Sequence, residues 1–508
     1  MDLIRATGSD NVVISYALGA PGTSTILLAQ GNDTVTLADN YTDHISCDSG
    51  NDTVFGGVGS AGTINLGRAN NRLELTSGHV RSVSANDQSD TVRIGTGSAE
   101  QIVLGSGQNR VSLGSGHIGA LVGGNGNDSV TASGGAINQA ALGDGSNTVT
   151  LSGSARIISL TGGTGNDTIA LLGASEIDLI KPDGGTNLLS TNAGHVGSYN
   201  SYGGSNSLNF GRGGGQQIVL SGDGGTLAVP ALGFVGSLQV TGNSAVTADI
   251  RGGADSIVTG NLGDTVTPSG GYVNSAFTRD GNDTLTMALG GAAIIRPGLG
   301  DDTVRFTSIT GGSAVWGGVS NSGNDTADLS LPGVALNLSI EVGPADQTIG
   351  SGGISMWDFE NLIGGTLGDT LTGNDLANRL DGGLGRDSLS GQAGADTLNG
   401  GEGNDTLNGG AEADLLRGGA LTDRLTGGTG ADLFEFRAGE GQDRITDFAI
   451  GSDLIDFVGT TVLANITFAV VAGGVQCSVG TFSFIVEGVP LLQMQDQGQF
   501  PVLESVRR

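Results

Sequence analysis

The chain has 508 residues, 95 of them Gly, only 4% aromatic residues and a formal net charge of −30 at pH 7. So much glycine with so few large side chains cannot fill a thick globular core, which leaves thin stacked layers. The acidity excludes nucleic acid and anionic membrane surfaces as expected partners.

Cys47 and Cys477 lie too far apart in sequence to encode a disulfide framework. No apolar run reaches the roughly 18 residues of a membrane span, so none is expected. The stretch MDLIRATGSDNVVISYALGA lacks the basic start and apolar run of a Sec-type signal. Export is therefore expected by a route that does not read the N-terminus.

Residues 1–330 carry a slow repeat. A small polar pair, then Thr or Ser, then a β-branched run recurs as NDTVTL at Asn32, SDTVRI at Ser89, NDSVTA at Asn127 and NDTIAL at Asn166. Its key position is Asp33, Asp52, Asn71, Asp90, Asn109, Asp128, Asn147, Asp167, Asn187 and Asn206; it fades near Thr226 and Ala245 and returns at Asp264, Asp283, Asp302 and Asp325. The period is about 19 with slips to about 20, and each period holds a second apolar stretch such as QIVLGSG at Gln101. Two strands per coil predict an all-β parallel β-solenoid of roughly 16 coils, about 75 Å long at about 4.8 Å per coil. The loops GGNGND at Gly123 and GGTGND at Gly162 place Asp128 and Asp167 on one edge. Alternating Asp and Asn separates like charges by about 10 Å, so an Asn ladder and a bound cation both account for the column. Asp283 and Asp302 have no intervening Asn and are the better cation candidates. His44, His79, His117 and His195 sit at strand entries and are expected on the surface, too far apart to share a Zn²⁺.

Residues 331–363 break that rhythm, and Met356, Trp357 and Phe359 are expected to cap the open end of the faster repeat that begins at Gly364. From Gly364 to Glu435 the chain divides into eight nine-residue units, among them GGLGRDSLS and GGEGNDTLN. The sixth place is Asp369, Asn378, Asp387, Asp396, Asp405, Asp414, Asp423 and Asp432, and the eighth is Leu or Phe434. One apolar residue in nine makes no helix face, so each unit predicts a glycine turn and a short strand, with two units per coil of about 18 residues. Stacked carboxylates about 4.8 Å apart repel by roughly 3 to 4 kcal/mol at an effective dielectric constant near 20. Ca²⁺, which takes six to eight oxygens, can neutralise them with help from the bare carbonyls of the turns.

These units resemble the GGxGxDxUx nonapeptide of RTX proteins, and GGNGND and GGTGND make residues 1–330 similar to a degenerate RTX roll. The resemblance implies an RTX parallel β-roll over residues 364–437 that binds several Ca²⁺ ions between same-side loops. Its ligands would be Asp369, Asp387, Asp396, Asp405, Asp414, Asp423 and Asp432. Leu367, Leu376, Glu412 and Leu421 replace the fourth-place glycine, and Asn378 replaces a carboxylate, so sites built on them are expected to be weaker. Residues 438–508 resemble the serralysin-type close of such a roll, with Asp443 and Asp447 as candidates for a last ion. They also carry a tail similar to signals read by type I secretion machinery. Antiparallel strands from residue 466 onward are expected to cover the roll's far edge.

The resemblance implies a secreted, extracellular protein that folds on calcium. HExxH, GxSxG and GxxxxGK(S/T) are all absent from the sequence. A non-catalytic surface, adhesive or matrix component is expected, with cell-surface glycans or further copies of the chain as candidate partners. A β-helix lyase or epimerase acting on polysaccharide is the alternative.

Overall fold

The computed structural model describes residues 2–5, 13–16, 24–37, 41–221, 225–229, 233–241, 245–267, 273–289, 294–309, 313–316, 323–330, 337–339, 354–357, 359–458, 467–479, 482–491 and 502–503. The chain forms two compact units, Met1–Asn261 and Leu262–Arg508.

In the first unit, consecutive strands alternate between two parallel sheets. One stacks Arg72–Leu75, Thr91–Ile94, Arg110–Leu113, Ser129–Ala132 and Thr148–Leu151. The other stacks His79–Ser84, Ser98–Val103, His117–Val122, Ala136–Ala141 and Arg156–Thr161. Each coil therefore supplies one strand to each sheet, as the two apolar stretches per period require. Leu73, Val92, Val111, Val130 and Val149 pair in register and are buried. So do Ile118, Ile137, Ile157 and Ile177 from the facing sheet. Each such side chain contributes about 1.5 to 3 kcal/mol by leaving water, which lets a thin layer hold without aromatic bulk. The slip in period is visible where Thr148 pairs with Thr168. Where the repeat fades, the register continues Asn206 to Gly225 and Val246, one residue away from Thr226 and Ala245, the positions expected from spacing. Gly225 has no side chain to mark the column.

The loops close tightly on their neighbours. Gly124 adopts φ +99°, and a Cβ there would lie 2.1 Å from the carbonyl oxygen of Gly105 one coil back. No other residue fits both the backbone angle and the approach.

In the second unit one parallel sheet runs from the long coils into the nonapeptide array: Thr303–Ile309, Thr326–Asp328, Asn361–Ile363, Arg379–Asp381 and Thr397–Glu402 pair in succession. Its partner in the array stacks Thr370–Thr372, Ser388–Ala393, Thr406–Ala411 and Arg424–Thr429. The eighth-place residues form two inward columns, Leu371, Leu389, Leu407, Leu425 and Leu380, Leu398, Leu416, Phe434, all at most 1% exposed. Strands in mid-array are six residues long, longer than the triplets expected from sequence, because the glycines of successive coils also pair, as Gly401 does with Gly419. Phe359 is buried, whereas the side chains of Met356 and Trp357, expected with it in a cap, lie outside the described residues.

At the far end, Thr467–Val471, Gly474–Val479 and Phe482–Val486 form an antiparallel set. The last of them pairs in parallel with Gln442–Ile445 and so extends the roll's sheet. Phe484 stacks on Phe436 at 4.6 Å, joining this cap to the roll's interior.

Candidate metal centres

Every sixth-place side chain of the array is buried, none more than 4% exposed. The residues form two edge columns because two units complete a coil. In one, the backbone N–H of Asp369 donates to Asp387 Oδ1 (2.7 Å), Asp387 to Asp405 (2.8 Å), Asp405 to Asp423 (2.7 Å) and Asp423 to Asp443 (3.0 Å). In the other, Asn378 donates to Asp396 (2.7 Å), Asp396 to Asp414 (2.8 Å), Asp414 to Asp432 (3.0 Å) and Asp432 to Asp453 (3.2 Å). Each carboxylate thus spends one oxygen on the amide of the preceding coil.

The second oxygen is different. Oδ2 of Asp387, Asp396, Asp405, Asp414, Asp423 and Asp432 is buried and accepts no hydrogen bond. Such an atom costs roughly 1 to 3 kcal/mol, and more when charged, so six in two columns call for a counter-charge. The first-place glycine makes room for it: a Cβ on Gly391 would sit 2.1 Å from Asp396 Oδ2 and 2.5 Å from the Gly409 carbonyl oxygen. Gly382, Gly400, Gly409, Gly418 and Gly427 approach their own aspartates in the same way. At Gly382, Gly391, Gly400 and Gly409 a carboxylate oxygen thus lies beside a bare carbonyl of the next coil, a hard, all-oxygen donor set that suits Ca²⁺. Among the described residues no three His, Cys, Asp or Glu side chains converge, so the arrangement does not suit Zn²⁺.

The electrostatics agree. Burial first, and neighbouring carboxylates after it, push Asp387 and Asp396 up to about 7. Burial pushes Asp405 and Asp414 up to about 6. Asp443 is raised chiefly by burial and further by the adjacent charge of Asp423. A bound cation would reverse this preference for the neutral form.

Asp369 joins its column with its Oδ2 engaged, accepting the Gly365 amide at 2.7 Å. Asp447, expected beside Asp443 in a last ion site, is committed elsewhere. Its two oxygens accept the amides of Gly427 and Gly428 at 2.9 and 2.8 Å, which makes it a cap on the preceding loop. Asp453 takes the terminal place in the second column, which spacing alone did not assign to it. At the fourth place Glu412 and Leu421 keep the left-handed backbone of the missing glycine, at φ 78° and 84°, a strain of about 1 to 2 kcal/mol each.

The long coils repeat the pattern. Asp128 and Asp167 are buried with Oδ2 unpartnered, as are Asp52 and Asp90. In the second unit the amides of Asp264, Asp283 and Asp302 donate to Oδ1 of Asp283, Asp302 and Asp325, at 2.6, 2.8 and 2.9 Å. Asp283 and Asp302 are driven to about 7 and Asp325 to about 8, burial being the first cause. Asp90 and Asp52 therefore belong with the candidates, although spacing marks them only as repeat positions. The histidines lie on the outward face: His79 contacts Ser98 Oγ at 2.9 Å and Glu100 at 3.2 Å, and His195 meets the Gly213 carbonyl at 2.8 Å.

A family model of the RTX calcium-binding nonapeptide repeat (4 copies) matches residues 30–60, 159–171, 363–398, 372–407, 399–434 and 408–445. RTX nonapeptide repeats bind calcium, and these segments hold the array columns from Asp369 to Asp443 together with Asp52 and Asp167, while Asp90, Asp128, Asp283, Asp302 and Asp325 lie outside them. No curated protein matches the chain. Among solved structures, the extracellular lipase LipA from Serratia marcescens is similar over 51% of this chain and 40% of its own length, with 18% identity and a TM-score of 0.20. The chain thus spans about two fifths of that lipase. The chain is an all-β solenoid bearing RTX calcium-binding nonapeptide repeats.

Proposed function

We propose that the protein is an exported, calcium-folded scaffold without catalytic activity, acting as a surface, adhesive or matrix component. The observation that carries this reading is the repeated buried carboxylate with one unpartnered oxygen. Without a cation the columns repel, and a glycine-rich chain buries too little apolar surface to offset its lost entropy. In a cytosol poor in free calcium the array stays open and can be threaded through a type I exporter. Outside, at millimolar calcium, it closes. Proteins with RTX repeats are typically secreted, and export here would depend on residues 438–508. Removing those residues should abolish release into the medium by a co-expressed type I exporter; undiminished release would refute the route.

One feature supports the polysaccharide-enzyme alternative. Arg156, Glu176, Asp178, His195, Gln216 and Gln217 line a cleft of about 400 Å³ on the outward face of the first unit. Lyase chemistry needs such a convergence, but Arg156 is held by Asp178 through bonds of 3.1 and 2.5 Å, which favours a structural pairing. The scaffold reading expects no new reducing ends or unsaturated products from acidic polysaccharides incubated with the calcium-loaded protein. Their appearance, and their loss in Asp178→Asn, would replace it with the enzymatic reading.

A further inference from the structure

The alternation of Asp and Asn along the first unit has a geometry of its own. Asn147 uses Oδ1 as its Asp neighbours do, accepting the Asp128 amide at 2.9 Å. Its Nδ2 then donates to the carbonyl oxygens of Gly143 (2.9 Å), Gly145 (3.2 Å) and Gly162 (3.1 Å), the first two from its own loop and the third from the next. Asn109 does the same with Gly105 (3.3 Å) and Gly123 (3.2 Å). Three carbonyls converging on one electropositive nitrogen outline the cage that a cation would occupy. In the intervening coils the equivalent atom is Oδ2 of Asp128 or Asp167, which is buried without a hydrogen-bond partner, the side-chain amides of Asn109 and Asn147 from the preceding coil offsetting only part of the burial of each carboxyl. The loop glycine crowds it: a Cβ on Gly123 would be 2.1 Å from Asp128 Oδ2 and 2.7 Å from the Leu142 carbonyl oxygen. An acidic oxygen set among carbonyls requires a positive partner, whereas an amide nitrogen in the same place supplies its own.

We propose that the side-chain amides of Asn147 and Asn109 stand where the adjacent coils hold Ca²⁺, so that the first unit alternates metal-holding loops at Asp128 and Asp167 with loops closed by the chain's own nitrogen. The column is then neither an Asn ladder nor a continuous ion file. Its asparagines do not chain amide to amide there, the contact of Asn187 Nδ2 with Asn206 Oδ1 (3.3 Å) lying further along. The consequence is a calcium requirement weaker per coil than that of the array, where Asp follows Asp.

This inference rests on the calcium reading above, and three variants of the full chain test it. Bound calcium is measured by equilibrium dialysis, and unfolding is followed with and without chelator. Asn147→Asp should bind about one more ion per chain and melt below the parent in chelator, with the loss recovered in calcium. Asp128→Asn should bind about one ion fewer and melt above the parent in chelator. Asn147→Ala should melt lower under both conditions, because it offers neither donor nor carboxylate. If Asn147→Asp adds no ion and loses stability that calcium does not restore, the amide is only a hydrogen-bonding residue and the inference fails. The same holds if Asp128→Asn gains nothing in chelator. A parent chain that binds no calcium overturns both this inference and the proposed function; a parent that does, with an inert Asn147→Asp, overturns this one alone.

Discussion

Asp405→Asn should change sign with calcium. Asp405 sits in mid-column: its Oδ1 accepts the Asp387 amide at 2.8 Å, its own amide reaches Asp423 Oδ1 at 2.7 Å, and its Oδ2 is buried without a partner. The amide variant keeps the Oδ1 acceptor, so the backbone stitching survives. It removes a charge flanked by two others at a coil spacing of about 4.8 Å, each worth roughly 3 to 4 kcal/mol of repulsion at an effective dielectric constant near 20. Partial protonation lowers that gain near neutrality, because Asp387 titrates at about 7 and Asp405 at about 6. At pH 8 in chelator the variant should therefore be more stable than the parent by a few kcal/mol, within the two-neighbour bound. In millimolar calcium the order reverses, since a ligand oxygen has been lost. Hydrogen exchange of peptides covering Ser388–Ala411 reads both states locally. Equal or lower protection of the variant in chelator would show that column repulsion does not govern the array.

The same geometry has other consequences. Gly391→Ala drives a methyl group into Asp396 Oδ2 and a backbone carbonyl, and should cost about 2 kcal/mol or more of stability and weaken calcium binding; an unchanged calcium isotherm would refute the cradle. The folded carboxyls of Asp387, Asp396, Asp405 and Asp414 titrate at about 6 to 7 against roughly 3.9 in the unfolded chain, so between about pH 4 and 7 the metal-free fold holds the extra protons. Its stability should fall as pH rises through that window and level off above it, while the calcium concentration for half-saturation falls; chelator melts that are flat in pH would contradict this. Cys47 and Cys477 are buried and form no disulfide, and burial pushes both thiols up, Cys477 to about 12. Both should resist alkylation in calcium. On chelation Cys477 should react before Cys47; the reverse order would contradict the difference between the units.

The array was legible because its chemistry repeats in phase: one Leu and one Asp every nine residues fix coil length, inward column and edge column together. The alternating strands of the first unit were equally plain, since Val92, Val111 and Val130 recur at one spacing and face one interior. Partner choice was not legible. Nothing in Asp447 distinguishes a ligand from a cap; its partners Gly427 and Gly428 lie about a coil upstream and are named only by the fold. Asn147 read as a neutral spacer because sequence shows the missing charge and hides the carbonyls around its nitrogen. At Gly225 the column continues through backbone pairing alone, which leaves no side-chain signal to find.

Calcium-gated folding of the array is tested most directly by a calcium titration of the full chain, with far-ultraviolet circular dichroism recorded together with hydrogen exchange resolved by peptide. Peptides across residues 364–445 should gain protection cooperatively as calcium rises and lose it in chelator, with residues 41–221 less dependent on the ion. Full β structure and full protection of residues 364–445 in excess chelator at pH 8 would contradict calcium gating.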